Sequence, residues 1–278
     1  MSPTDIAETQ HVPIGAPFAQ GDIILLPERA CPPHLGVIIN ADCDLHHDKT
    51  DGVCSYLPIY TFSEYIEHFW LPNKLEEFRR QSLFNILQAI KQPKSSLSSL
   101  EAWLDSADHT ALSDRLSEEF ELTGKLRIAL TNQVEQHLDT YNSSRTPTKS
   151  FLHFCRAQKD PESFLEKQLR SAYQQLAEGH LFLNEIFGRS QLGFVIRLRR
   201  IYAIDRRNYF QSESDFLLSS LSPDQCAIRL AKLTSVFQYK LLQLFALQFS
   251  RIGLPDELTH MHQLVITDAA MQLLREYE

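Results

Sequence analysis

The chain has 278 residues, of which 43% are hydrophobic and 22% are charged, and its formal net charge is −8. This composition excludes intrinsic disorder, which needs fewer apolar residues and a higher charge density, and five cysteines are too few for a disulfide-built secreted domain. The N-terminus has neither the basic start nor the apolar run of a signal peptide, and no stretch approaches the roughly 18 apolar residues of a membrane-spanning helix. We therefore expect a soluble cytoplasmic protein with reduced cysteines and no membrane partner.

The first sixty residues predict three short β-strands. Apolar runs at 22–27, 35–40 and 53–60 are rich in β-branched residues and are separated by proline or turn residues. Three strands in succession indicate a small antiparallel sheet or part of a small barrel, since they are too few to close a barrel by themselves.

From residue 62 to residue 178 the pattern becomes helical. Apolar residues recur every three or four positions, as at Leu83 and Ile86, which is the spacing of an amphipathic helix. Asp160-Pro161 predicts the start of a further helix, with the aspartate as N-cap and the proline in the first turn.

The pattern returns to strands at 180–187 and 193–205, where β-branched and aromatic residues partly alternate with polar ones. We expect these strands to join the N-terminal strands in one sheet, and two sequential domains are the alternative. The predicted fold class is α+β, predominantly helical, with a small antiparallel β portion. Its predicted parts are the β portion (15–61 plus 179–210), a helical insertion (62–178) and a C-terminal helical segment (211–278).

The C-terminal segment predicts one long helix and one shorter helix. Ser222-Pro223-Asp224-Gln225 has the residues of a helix start, a broad apolar face follows as far as Ile252, and Gly253 and Pro255 predict the end. A face this wide is typical of buried core rather than of an exposed partner groove. The shorter helix is expected from Leu264 to about Tyr277.

The densest group of reactive side chains follows the second predicted strand. Asp42, Cys43, Asp44, His46 and His47 lie within six residues. Carboxylates and imidazoles could bind a divalent metal, and a metal-dependent hydrolase or nuclease would use Asp42, Asp44, His46 and His47 in this way. Irregular spacing argues against this, so we favour a polar hairpin loop and predict no cofactor.

A second candidate site is basic. Charge is distributed unevenly, since residues 1–92 carry −6, residues 93–192 carry −3 and residues 193–278 carry +1. Arg197 and Arg199 are predicted on one strand face and could bind phosphates or carboxylates. The alternative is pairing with acidic residues of the same chain, and the acidic overall charge makes nucleic acid the less favoured partner.

Three motifs suggest a family. They are Gly21-Asp22-Ile23, the stretch from Gly36 to Leu45 that contains Asp42-Cys43-Asp44-Leu45, and Phe249-Ser250-Arg251-Ile252-Gly253-Leu254-Pro255. They resemble a group of poorly characterised bacterial accessory proteins with a Gly-Asp-Ile start, a Val-Ile run before a Cys-Asp-Leu turn, and an Arg-Ile-Gly-Leu-Pro finish. The resemblance implies a setting beside ATPase or kinase-like partners in mobile or antiviral-defence gene clusters, and it implies no catalytic residues.

The sequence contains no glycine-rich phosphate loop, no Gly-x-Ser-x-Gly and no His-Glu-x-x-His motif. We therefore expect a non-enzymatic accessory or adaptor protein that binds a protein partner, in a setting of bacterial antiphage defence. Asp42, Cys43, Asp44, Arg197 and Arg199 are its candidate binding residues.

Overall fold

A computed structural model describes residues 7–27, 30–93, 97–106, 112–141, 146–177, 179–219, 221–249 and 264–271. The strands are β1 (Thr9–Gln10), β2 (Asp22–Leu25), β3 (Leu35–Ile38), β4 (Val53–Thr61), β5 (His180–Glu185), β6 (Leu192–Arg197), β7 (Tyr202–Asp205), β8 (Tyr209–Phe210) and β9 (Ala227–Leu233). The α-helices are α1 (Asp42–His46), α2 (Phe62–Tyr65), α3 (Leu71–Ala89), α4 (Leu97–Ser106), α5 (Leu112–Glu119), α6 (Lys125–Tyr141), α7 (Pro147–Arg156), α8 (Pro161–Gln174), α9 (Glu213–Leu217) and α10 (Ser235–Phe249).

The described strands form one sheet, and the expectation of a small β portion is wrong. The main path runs β1-β9-β2-β3-β4-β6-β5, with β7 paired to β4 and β8 paired to β9. Every pair on the main path is antiparallel, and the seven strands make a nearly closed, barrel-like sheet. Helices make up 53% of the structure and strands 19%. The sheet is therefore the framework that positions the helices.

The error about sheet size comes mainly from the C-terminal segment. Pro223–Gln225 is a single 3₁₀ turn, and the residues after it form β9 instead of a helix. Strand β9 lies between β1 and β2 and is buried along most of its length. A short apolar run that is buried on both faces fits either a strand or a helix by its periodicity, so the turn residues at 222–225 were misleading. Helix α10 begins only at Ser235, and the predicted helix end at Gly253 and Pro255 lies outside the described residues.

The run at 193–205 is two strands instead of one. Strand β6 ends at Arg197, a turn follows, and β7 begins at Tyr202. Both strands pair with the long strand β4, β6 with its C-terminal end and β7 with its N-terminal end. Arg200, which interrupts the predicted strand face, lies in the turn.

Two closely packed glycines belong to this sheet. Gly36 in β3 faces the ring of Tyr56, and a Cβ atom on Gly36 would lie 2.5 Å from the Tyr56 Cδ2 atom. Gly21, immediately before β2, has a φ of +86° and lies against the side chain of Gln238 in α10. Glycine is required at both positions, because a side chain would collide at the first and would be strained at the second.

The inner face of the sheet forms one hydrophobic core. Buried side chains from β2, β3, β4, β5, β6 and β9 meet there, together with Leu241 of α10. Alternation along β6 separates two cores: Phe194 and Ile196 face this inner core, whereas Val195 packs with an aromatic cluster that includes Trp70 and Phe151. The helical region thus packs on the outer face of the same sheet.

The helical region between β4 and β5 also has a core of its own. Helix α2 begins with a capping box formed by Thr61 and Glu64, and it continues through a π-helical segment, Ile66–Trp70, into α3. Helices α3, α4, α5 and α6 bury a separate cluster around Leu83, Ile86 and Leu130. At the start of α8 the Asp160 side chain accepts a hydrogen bond from the Ser163 amide, so the predicted N-cap is confirmed. None of the described helices combines the length and the apolar character needed to cross a bilayer.

Candidate functional site

The segment with the acidic, thiol and imidazole groups is a short helix, α1, between β3 and β4. The Asp42 Oδ1 atom accepts a hydrogen bond of 2.7 Å from the Gln20 amide. The His46 Nδ1 atom lies 2.6 Å from the Asp42 carbonyl oxygen, and the Cys43 thiol donates to Asp44 Oδ1 at 3.5 Å. Leu45 is buried, while Asp42 and Cys43 are exposed. The helical turn therefore presents its polar groups to the surface and anchors itself through Leu45.

Two of the proposed metal ligands, Asp42 and His46, instead make contacts with the backbone. Asp42 holds the Gln20 backbone, and the His46 ring contacts the backbone of its own helix. In the described parts of the chain, no three His, Cys, Asp or Glu side chains are grouped so that they could hold a metal ion. The Cys43 thiol is paired with the Asp44 carboxylate, and among the described residues no hydrogen bond joins its sulfur to an imidazole. Nothing in this arrangement favours the hydrolase alternative.

The two candidate arginines diverge. Arg197, the last residue of β6, places its guanidinium 3.9 Å from the centre of the Phe69 ring on the outer face of the sheet. Arg199 lies beyond the strand, and its Nε atom donates to Gln248 Oε1 at 3.0 Å. The expectation that both arginines share one strand face is wrong because β6 ends at Arg197.

Arg197 belongs to an aromatic cluster. Burial raises the pKa of Tyr60 to about 12, and a hydrogen bond to Tyr202 adds to the rise while Arg197 opposes it. Burial also raises the pKa of Tyr65, again opposed by Arg197. A guanidinium stacked on Phe69 among phenols contributes cation–π and hydrogen-bond energy to this contact between sheet and helices. This arginine therefore has a structural partner within the chain.

Helix α10 connects the surroundings of Asp42 and Arg199. Near its start, Gln238 donates a hydrogen bond of 3.4 Å to Gln20, the residue whose amide binds Asp42. Near its end, Gln248 accepts the hydrogen bond from Arg199. The two glutamines are ten residues apart, which corresponds to about 15 Å along a helix. One helix is therefore flanked by an acidic turn at one end and by an arginine turn at the other.

The exposed side of α10 carries large apolar side chains, with Lys240 and Gln243 among them. Only Leu241 is fully buried, while Val236, Tyr239 and Leu247 are 62%, 71% and 50% exposed. These three residues fall on one side of the helix, and Lys240 is the single charged residue of α10. We call Val236, Tyr239 and Leu247 the α10 face. Large apolar side chains grouped on an exposed surface are characteristic of a protein-binding site.

A short helical stretch at 264–271 is also exposed. Leu264, Val265 and Ile266 each leave more than half of their surface accessible to solvent. It agrees with the start of the predicted short helix at Leu264, and the rest of that helix lies outside the described residues.

A buried polar network was missed by the sequence reasoning. Asp22 is fully buried, and its Oδ2 atom accepts hydrogen bonds from the Ala19 amide at 2.9 Å and the Tyr209 hydroxyl at 2.8 Å. Arg229 Nη1 lies 3.5 Å from the same oxygen. Burial raises the pKa of Asp22, while these three groups oppose the rise. The only signal in the sequence was an aspartate inside an apolar run, and Arg229 was concealed because β9 was taken for a helix.

The network holds the segment before β2 against the sheet. Arg229 donates to the carbonyl oxygens of Ala16 and Pro17, both at 2.9 Å. Phe18 lies between arginines, with the Arg206 and Arg229 guanidinium carbons 4.1 Å and 5.6 Å from its ring centre. Every group in the network contacts another part of the same chain, so its role is structural.

Comparisons of this chain with protein-family models, with curated proteins and with solved structures found no match.

Proposed function

We propose that this protein is a non-enzymatic adaptor that binds a protein partner through the α10 face. The observation that carries the proposal is the exposure of Val236, Tyr239 and Leu247 on a helix whose other side is packed on the barrel core. Burying three large apolar side chains provides binding free energy of the kind that anchors protein interfaces.

Charged residues also lie near the two ends of α10, where Gln238 and Gln248 make their contacts. Asp42 and Asp44 lie in the turn near its start, and Arg199 and the exposed Arg200 lie near its end. A partner with an apolar centre, basic residues opposite the first end and acidic residues opposite the second would complement this surface. Charges at the rim set orientation and association rate more than affinity.

The resemblance to bacterial accessory proteins supports a setting for this binding. It supports an ATPase or kinase-like component as the partner and antiphage defence as the context. A cytoplasmic location fits the five cysteines, none of which forms a disulfide in the structure.

The test is a double substitution on the α10 face, Val236→Glu with Leu247→Glu. Proteins that copurify with the tagged chain from its host are identified, expressed and titrated against the wild type by calorimetry. We expect the double variant to weaken binding of the true partner by tenfold or more, because two charges would be buried at the interface. Its circular dichroism spectrum should match that of the wild type.

A matched control comes from another exposed apolar pair, Leu126 and Ile128 in the helical region. The Leu126→Glu, Ile128→Glu variant should bind like the wild type. Equal losses of binding affinity in the two variants would refute the α10 face as the binding site. Substrate turnover by the purified protein that disappears in a Cys43→Ala variant would refute the adaptor proposal itself.

A further inference from the structure

Residues 142–159 are one of several stretches of this acidic protein whose charged residues are all basic. Between residues 142 and 159 there are four basic residues, one histidine and no aspartate or glutamate. The described part of this stretch is helix α7 with its two ends. A local excess of positive charge attracts anionic groups even in a chain with a net charge of −8.

Helix α7 separates its apolar and basic residues on two faces. Phe151 and Cys155 are buried in the aromatic cluster on the outer face of the sheet. Lys149, His153 and Arg156 are exposed, and their spacing of four and three places them on the opposite side of the helix. Lys149 and Arg156 are seven residues apart, or about 10 Å along the axis.

The exposed face includes an open hollow between side chains of α7. Lys149, Leu152, His153 and Arg156 line a hollow of about 280 Å³. Leu152 is partly buried and lines the same hollow as the two cationic side chains. We call these four residues the α7 groove. It combines two positive charges with one apolar contact.

The two cations of the α7 groove have no ion-pair partner among the described residues. Other arginines of the helical region do pair with carboxylates at 2.6–3.2 Å: Arg79 with Glu101, Arg80 with Glu76, Arg127 with Asp114 and Arg170 with Glu166. Lys149 and Arg156 are therefore available to an external anion without first giving up an internal partner.

We propose that the α7 groove binds an acidic helical segment of a partner protein. Two carboxylates seven residues apart on such a segment would face Lys149 and Arg156, and an apolar residue between them would contact Leu152. Nucleic acid fits less well, because few cations line the groove and the net charge of −8 repels a polyanion.

The α7 groove and the α10 face are separate surfaces. Helix α7 packs on the outer aromatic cluster, whereas α10 packs on the inner core of the barrel. The inference therefore does not depend on the α10 face, and together the two surfaces would let one adaptor hold two partners.

The test uses labelled probes and the full chain. One peptide is an acidic helix with glutamates seven residues apart on either side of a leucine, and a second peptide has the same composition in scrambled order. Single-stranded and duplex oligonucleotides serve as the nucleic-acid probes. In anisotropy titrations the ordered peptide should bind about tenfold more tightly than the scrambled one, and more weakly as salt rises.

Substitutions at three places on the surface test where the peptide binds. Lys149→Glu with Arg156→Glu should weaken binding of the ordered peptide about tenfold, since two attractive contacts become repulsive. The control, Lys49→Glu with Lys125→Glu, makes the same charge change at two other exposed lysines and should leave binding within about twofold. The Val236→Glu, Leu247→Glu variant should also bind this peptide normally, so failure at α7 and failure at α10 can be distinguished.

Three outcomes would overturn the inference. They are equal binding of the ordered and scrambled peptides, an unchanged affinity in the α7 variant, and loss of binding in the α10 variant. Tighter binding of an oligonucleotide than of the peptide, lost in the α7 variant, would assign the α7 groove to nucleic acid instead.

Discussion

The buried side chain of Asp22 connects three separate segments of the chain. Its Oδ2 atom accepts the Ala19 amide and the Tyr209 hydroxyl and faces the Arg229 guanidinium, whereas Oδ1 has no hydrogen-bond partner among the described residues. A buried carboxylate is costly unless donors surround it. Each of its donors therefore contributes more to stability than an exposed hydrogen bond would.

Tyr209→Phe removes one of these donors and leaves the packing nearly unchanged. We expect the free energy of unfolding to fall by about 1–3 kcal/mol, the typical cost of removing the partner of a buried charged group. Urea unfolding followed by circular dichroism measures this change.

Tyr239→Phe is the matched control, because Tyr239 is 71% exposed and should change stability by about 0.5 kcal/mol or less. If Tyr209→Phe were equally harmless, the hydroxyl would not be supporting Asp22.

At the scale of elements, a side chain bridges the two end strands of the nearly closed sheet. Strands β1 and β5 end the main path of the sheet. The Glu8 carboxylate, next to β1, accepts hydrogen bonds from the Asn184 amide, the Asn184 Nδ2 group and the Glu185 amide of β5. Thr9 Oγ1 accepts a further hydrogen bond of 2.8 Å from the Phe187 amide. Glu8 thereby satisfies edge amides of β5 that would otherwise be open to another chain.

Glu8→Ala should break this contact between the β1 segment and β5. Removing a carboxylate that accepts three hydrogen bonds should cost about 3 kcal/mol and expose the amides of Asn184 and Glu185 to solvent. Hydrogen exchange measured by NMR should accelerate at these two amides while the centre of β4 remains protected.

Glu185→Ala provides the comparison, because it removes an exposed side chain and keeps the Glu185 backbone donor. Exchange at Asn184 that is equally slow in wild type and Glu8→Ala would contradict closure by Glu8.

At the scale of the whole molecule, the burial of protonated thiol and phenol groups limits stability at high pH. Burial raises the pKa of Cys155 to about 11 and that of Tyr60 to about 12, and it raises the pKa of Tyr209 well above its ordinary value. The unfolded chain loses these protons at lower pH than the folded chain does. We therefore expect the contribution of these groups to stability to be present below about pH 9 and to be lost as pH rises through 11 and 12.

Cys155→Ala should remove part of this pH dependence. A pKa raised from 9.0 to about 11 corresponds to a loss of about 2 kcal/mol between pH 8 and pH 11, and this loss should be missing in the variant. Denaturant unfolding at the two pH values measures it.

Cys43→Ala, at an exposed position, should show the same decline as the wild type. An undiminished decline in Cys155→Ala would mean that the Cys155 thiol does not contribute.

Local signals predicted some elements and misled at others. The Asp160-Pro161 helix start was predictable because an N-cap and a first-turn proline act within four residues. Ser222-Pro223-Asp224-Gln225 has the same kind of signal, yet it leads into β9, because pairing with β1 and β2 outweighs a local preference. Of the candidate site, Asp42 and Arg199 were predicted, whereas the α10 face was expected to be buried.

The sequence by itself determined the class of this molecule: an acidic globular chain with strands near both ends and a long helical region between them. Those properties depend on composition and short-range periodicity. The tertiary structure decided the nearly closed sheet, the contacts of Glu8 with β5, the pairing of Asp22 with Arg229 and the exposure of α10. Each of these joins residues far apart in the chain, and their contacts depend on strand register and packing, which no local pattern of residues encodes.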